Sequence, residues 1–189
     1  MSTLKIVIAS TRPGRLGAPI GQWLAEQARR QGAFDRVELL DLAEIDLPMF
    51  DEPHHPRTGT YLHPHTKAWS ATVDEADALI FLSPEYNGFP PATLLNAVNY
   101  LHAEWTGTPL GVLTYGAGGG GARARKQLEL LGSYLKMPTA EANFGLANVF
   151  GQVVDGAFIP AEGNDEAAAA LVGELATLAR AQELVGEAA

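Results

Sequence analysis

The chain contains no cysteine in 189 residues. That absence excludes a disulfide framework, a thiolate zinc site, a cysteine-ligated iron–sulfur cluster and a thiol nucleophile, and it fits a reducing interior. Positive charge is also scarce. Thirteen Lys and Arg stand against 22 Asp and Glu, a formal net charge of −9. Neutralising a phosphate backbone or an anionic bilayer needs a basic face, so neither nucleic acid nor membrane is an expected partner. No apolar run is long enough to span a bilayer, and Met1 to Lys5 lead into a short apolar strand without a signal-peptide core. A cytoplasmic location is expected. With 47% hydrophobic and 19% charged residues, the length suits one full core and is too short for two ordinary domains. One domain over residues 1–189 is therefore expected.

What is present is an alternation of short apolar runs and amphipathic stretches. Leu4–Ala9, Val37–Leu42, Asp77–Leu82 and Leu110–Tyr115 read as strands. A shorter one is expected near Thr139–Asn143. Helical spacing begins at Pro19, with Ile20, Trp23, Leu24 and Ala28 on one side. Further helices are predicted over about His65–Ala76, from Pro91 with Leu94, Leu95, Val98 and Leu101 on one face, and after Gly121 with Leu128, Leu131 and Leu135. A last one runs over about Asp165–Val185, with Leu171, Leu175, Leu178 and Leu184. The proline-rich stretch Pro48–Pro64 reads as a surface loop. This alternation predicts an α/β fold, a parallel sheet with helices on both faces. Such sheets bind ligands beyond the carboxyl ends of their strands. The three unusual loops follow the first, third and fourth strands, which are neighbours in the order 2-1-3-4-5, so they would line one site.

Ser10-Thr11-Arg12-Pro13-Gly14-Arg15-Leu16-Gly17 is the first of these loops. A strand, a short loop and a helix start expose backbone N–H groups and the positive end of a helix dipole. Two hydroxyls and two arginines add donors suited to phosphate. The glycines do not form the dinucleotide fingerprint G-x-G-x-x-G, and no Gly-Lys-Ser/Thr occurs. A terminal monophosphate suits the loop better than a pyrophosphate. Pro84-Glu85-Tyr86-Asn87-Gly88-Phe89-Pro90 offers an aromatic ring and amides at a tight turn. Gly116 to Gly121 allows close backbone approach but is equally consistent with a plain flexible loop.

Together, Ser10-Thr11-Arg12, Ser83-Pro84-Glu85-Tyr86-Asn87-Gly88 and Tyr115-Gly116 with Gly120-Gly121 resemble the NADPH-dependent FMN reductase family. That family includes azoreductases, quinone reductases and chromate reductases. Pro-Glu-Tyr-Asn is the specific part of the match, which runs in order from about residue 4 to residue 145. The resemblance implies a flavodoxin-like three-layer sandwich with a five-stranded parallel sheet and one FMN per subunit. It places the phosphate against Ser10, Thr11 and Arg12, in a loop completed by Gly14, Arg15, Leu16 and Gly17. Pro84, Glu85, Tyr86, Asn87 and Gly88 would line the ring and ribityl chain, with Gly116 and Ala117 on the far side. It further implies a homodimer or homotetramer with the flavin near a subunit interface. Hydride would pass from NADPH or NADH to flavin N5, then on to a quinone, azo, flavin or metal-oxyanion acceptor. Many members carry Ser three residues after the loop arginine and Asn two further on, where this chain has Arg15 and Gly17.

Other signals carry less. His54, His55, His63 and His65 lack metal-ligand spacing, and Trp69 and Trp105 read as packing residues. No Gly-x-Ser-x-Gly elbow is present, and Asp77 and Asp155 receive no catalytic role. Two rival readings are a flavodoxin-type electron carrier and a non-catalytic nucleotide-sensing module. The carrier's phosphate loop is rich in Thr and Ser without arginines, so Arg12 and Arg15 count against it.

Overall fold

The computed structural model describes residues 1–187. At its centre lie five parallel strands in the order β2-β1-β3-β4-β5. They are β1 (Thr3–Ile8), β2 (Arg36–Asp41), β3 (Ala78–Pro84), β4 (Leu110–Tyr115) and β5 (Phe144–Leu146). The helices are α1 (Gly17–Gln31), α2 (Leu42–Ile45), α3 (Pro64–Asp74), α4 (Ala92–Asn99), α5 (Ala122–Tyr134) and α6 (Asn164–Glu187). The predicted sheet order and layering are both present.

Successive residues of a strand point to opposite faces, so each apolar strand feeds two cores at once. On one side Leu4, Ile6, Ile8, Ile80, Leu82 and Leu113 pack against α1 and α6 through Ile20, Leu24, Leu171 and Leu175. On the other, Val7, Leu79, Phe81 and Val112 meet α3, α4 and α5 through Trp69, Leu94, Val98 and Leu128. Trp69 and Trp105 are fully packed, and each also serves α4. Their indole N–H groups donate to the carbonyls of Ala97 at 2.9 Å and Val98 at 3.1 Å in its last turn. Lys5 is buried within β1. Its Nζ reaches the carboxyl end of α3, donating to the Thr72 carbonyl at 2.7 Å and pairing with Glu75 at 2.9 Å.

Three expectations are corrected. The fifth strand lies at Phe144–Leu146, not Thr139–Asn143. Thr139 makes only an isolated bridge to Leu110. The Asn143 side chain then takes the Val112 N–H at 2.6 Å, and Glu174 of α6 takes those of Glu141 and Ala142 at 2.8 Å each. The backbone therefore bulges away until Phe144 pairs with Leu113. Leu95 and Leu184 are exposed rather than core residues. Leu95 follows Leu94 by a single position, and 100° of helical rotation turns it away from the sheet. A small antiparallel hairpin that no strand alternation announces, β6 (Val153–Val154) and β7 (Ala157–Phe158), turns at Asp155 (φ 49°) and Gly156 (φ 81°). It seats Phe158 against Trp23 with ring centroids 5.1 Å apart.

The long Pro48–Pro64 loop is pinned by carboxylates. Glu104 accepts from Tyr61 at 2.9 Å and Ser70 at 2.6 Å, and Glu52 accepts the N–H groups of Leu62 and His63. Burial pushes the Glu104 carboxyl upward. Hydrogen bonds from Ser70, Tyr61 and the His102 backbone outweigh it and hold the pKa below its ordinary 4.5. A depressed pKa stabilises the fold above the unfolded value, and that contribution disappears as pH falls through the folded one. The urea midpoint should therefore decline below about pH 4.5, and the decline should be shallower in Glu104→Gln. The first turn of α5 is closed from another loop: the Glu85 carboxylate accepts the N–H groups of Arg123 at 3.0 Å and Ala124 at 3.2 Å. Glu85→Ala removes this cap and should cost about 1 kcal/mol, a fall in Tm of about 2–4 °C in a calorimetric scan.

Candidate functional site

Three loops leave the sheet at one end: β1 stops two residues short of β3, and β3 and β4 stop level. Ile8 pairs with Leu82, and Pro84 pairs with Tyr115. Residues after Ile8, Pro84 and Tyr115 therefore start side by side.

The first loop turns at Arg12–Arg15, where the Arg15 N–H donates to the Arg12 carbonyl at 3.1 Å and Gly14 sits at φ 69°. Among the described residues, the amides of Thr11, Arg12, Gly14, Leu16 and Gly17 make no backbone hydrogen bond. Helix α1 begins here with no side-chain cap and no acidic residue in its first turn. Its free N–H groups and dipole thus present unopposed positive potential. Ser10 is 1% exposed, and its Oγ lies 2.7 Å from the Tyr86 hydroxyl. Arg12 is exposed and, among the described residues, has no carboxylate within ion-pairing distance. Arg15 differs. It pairs with Asp41, whose other oxygen caps α2 through the Ala43 N–H at 3.0 Å. The Arg15 Nε is buried without a partner. Arg12 is thus the open cation of the loop, and Arg15 is shared with a carboxylate.

The second loop is a closed two-residue turn. The Tyr86 N–H donates to the Phe89 carbonyl at 2.8 Å and the Phe89 N–H returns to Tyr86 at 3.0 Å. Asn87 (φ 52°) and Gly88 (φ 85°) form its tip, the geometry that Asn-Gly favours. Pro84 ends β3, and the Glu85 carboxylate faces α5 as its cap. Tyr86 leans back across the cleft to Ser10.

The third loop is anchored at its shoulders and open at its tip. The Gly116 N–H donates to the Leu146 carbonyl at 3.1 Å, so it is not available to a ligand. The Ala117 carbonyl accepts from Gly120 at 2.9 Å and from Asn148 at 3.2 Å. Ala117, Gly118 and Gly119 are exposed, with amides that carry no backbone bond among the described residues. Glycine is required where this loop crosses β5, since a Cβ on Gly145 would lie 2.3 Å from the Gly120 oxygen.

Two residues outside the predicted set belong to this environment. Asp41 restrains Arg15, and Tyr115 is packed beneath the start of α1. Burial first, and then proximity to Tyr86, pushes the Tyr115 phenol up, while Ser10, Arg12 and Arg15 pull the other way. It is a neutral hydroxyl at any physiological pH. Its position directly before Gly116, on the β4 face shared with Leu113, is the sequence signal that marks it. The histidines lie elsewhere. His65 Nε2 is 3.0 Å from Asp51, and His63 stacks on His65 at 5.2 Å. Among the described residues, no three His, Cys, Asp or Glu side chains cluster to hold a metal.

One end of the cleft thus gathers hydroxyls, free amides and a cation, and the other offers turn amides beside exposed apolar surface. These donors fit a phosphate monoester joined to a flat ring, as in FMN, better than they fit a pyrophosphate. A family model described as NADPH-dependent FMN reductase matches residues 2–151. A fission yeast (Schizosaccharomyces pombe) relative named NAD(P)H-dependent FMN reductase is 39% identical over 158 residues, covering 82% of this chain and 78% of that protein. An Arabidopsis thaliana NADPH:quinone oxidoreductase is 30% identical over 105 residues, covering 54% of this chain and 52% of its own. Among solved structures, the NAD(P)H:(acceptor) oxidoreductase FerB of Paracoccus denitrificans superposes with a TM-score of 0.74 at 17% identity, over 96% of this chain and 99% of that one. That likeness speaks to the fold, while the sequence matches establish the kinship: this chain belongs to the NADPH-dependent FMN reductase family.

Proposed function

We propose that the protein is an NAD(P)H-dependent flavin reductase that holds FMN across its three loops and passes electrons to a small-molecule acceptor. The observation that carries this reading is the convergence of uncapped α1 amides, Ser10 and Arg12 with the Asn87–Gly88 turn and the open Ala117–Gly119 tip. FMN, when bound, supplies the hydride-accepting and hydride-donating chemistry, and the protein contributes binding, orientation and electrostatics. Ser10, Arg12 and the α1 amides hold the phosphate. The amides of Asn87 and Gly88 face the ring's polar rim, and the backbone of Ala117–Gly119 closes over it. Tyr86 provides an aromatic wall. No protein acid or base is needed to move a hydride. The acceptor class is taken from the quinone-reducing relatives, with azo compounds, free flavin and metal oxyanions as further candidates.

We also read the protein as a homodimer or homotetramer in the cytoplasm. Phe89, Leu95, Leu130 and Tyr134 leave a continuous apolar face exposed on α4 and α5, next to the second loop. A second copy seated there would adjoin the flavin. Among the described residues, no helix is long and apolar enough to cross a membrane.

Purified protein reconstituted with FMN and mixed anaerobically with NADPH or NADH should lose the flavin absorbance near 450 nm, a property of the cofactor itself (about that wavelength). Flavin that binds but resists both nicotinamides would point to an electron carrier, and nucleotide binding without turnover to a sensor. Arg12→Ala should weaken FMN about tenfold or more, since a hydrogen bond to a charged group contributes roughly 1.5–3 kcal/mol. Its affinity for riboflavin, which lacks the phosphate, should not change in a fluorescence-quenching titration.

A further inference from the structure

The first loop carries no side chain at Gly17, the first residue of α1. The space beside it is filled from β1 and β4. A Cβ on Gly17 would lie 3.0 Å from Ile8 Cγ2, 3.0 Å from the Tyr115 hydroxyl oxygen and 3.8 Å from its Cζ. Tyr115 is 5% exposed and paired in the sheet with Pro84 on one side and Leu146 on the other, so its ring is fixed in place. The phenol oxygen therefore lies in close contact with the point where a side chain of residue 17 would begin.

The neighbours of that oxygen pose a chemical problem. The open amides of α1, Arg12 and Arg15 can only donate, whereas the Ser10 hydroxyl can donate or accept. A neutral phenol likewise has a proton to give, and its burial keeps it neutral. Phenylalanine would fill the same volume without adding a further O–H to a cluster of donors. A set of donors from β1, α1 and β4 is satisfied in common by one multivalent acceptor, and a phosphate monoester offers three terminal oxygens. Tyr86 completes the arrangement from the turn after β3. If its hydroxyl donates to Ser10 Oγ across their 2.7 Å contact, the serine proton is left to point at the anion.

Resting on the flavin reading above, we propose that Tyr115 is a phosphate-binding residue: its hydroxyl, presented from β4, donates to the FMN phosphate in the place that a side chain at residue 17 would otherwise occupy. The absent loop side chain is thereby replaced from β4, which β3 separates from β1 in the sheet.

The test compares FMN and riboflavin binding by fluorescence quenching in wild type and Tyr115→Phe, with folding checked by circular dichroism. The expected result is an FMN Kd raised about tenfold, the scale of one hydrogen bond to a charged group. Riboflavin affinity stays unchanged, and the 31P resonance of bound FMN moves. Gly17→Ser provides a second arm. In wild type the new side chain presses on the phenol and weakens FMN, whereas in Tyr115→Phe it enters the space left by the lost oxygen and restores part of the affinity. Unchanged FMN binding in Tyr115→Phe overturns the proposal. An equal loss for FMN and riboflavin overturns it too, because it marks Tyr115 as a packing residue only. Wild-type protein that binds neither flavin overturns the flavin reading together with the proposal.

Discussion

The backbone ladder joining β1 to β3 and β3 to β4 sets Ile8 against Leu82 and Pro84 against Tyr115. Every loop of the site leaves from that line. A slip of one residue in either pairing would turn the exit of one loop toward the wrong core and separate groups that now touch across the cleft. The register is enforced by burial on both faces, because Ile6, Ile8, Ile80 and Leu82 feed one core while Val7, Leu79, Phe81 and Val112 feed the other. Hydrophobic patterning remote from the ligand thus fixes the distance between Ser10 and Tyr86, whose residue numbers differ by 76.

Electrostatics at the site run against the charge of the whole. The protein carries −9 overall, yet the start of α1 has no acidic residue in its first turn and Arg12 stands open beside it. On the proposed reading, local donors would hold a phosphate in spite of the general field. Asp41 moderates this concentration of positive charge, taking one side of Arg15 while capping α2 with its other oxygen. This pair joins the first loop to the edge strand β2 and fixes the place of Arg15.

Much of this could be read from the residues. Continuous apolar runs such as Leu110–Tyr115 marked buried parallel strands, and Asn87-Gly88 marked the turn that the structure contains. What could not be read depended on hydrogen bonds between residues far apart in the chain. Asn143 occupies the Val112 N–H and displaces β5 by several residues. Glu85, part of the most specific motif, directs its carboxylate to α5. Gly116, expected to face the ligand, gives its N–H to Leu146. Each is a long-range hydrogen bond with no local periodicity to announce it. The β6–β7 hairpin escaped for a different reason: two-residue strands are too short to alternate, although Asp155-Gly156 carried a turn signal.

Amide hydrogen exchange, measured with and without FMN, reads all three loops at once. Convergence on one ligand predicts that FMN slows exchange together in peptides covering Ser10–Gly17, Pro84–Gly88 and Gly116–Gly121, while the distant Glu141–Asn143 bulge is unaffected. Protection confined to one loop, or centred on another part of the surface, would contradict the assignment of these loops to a single flavin site.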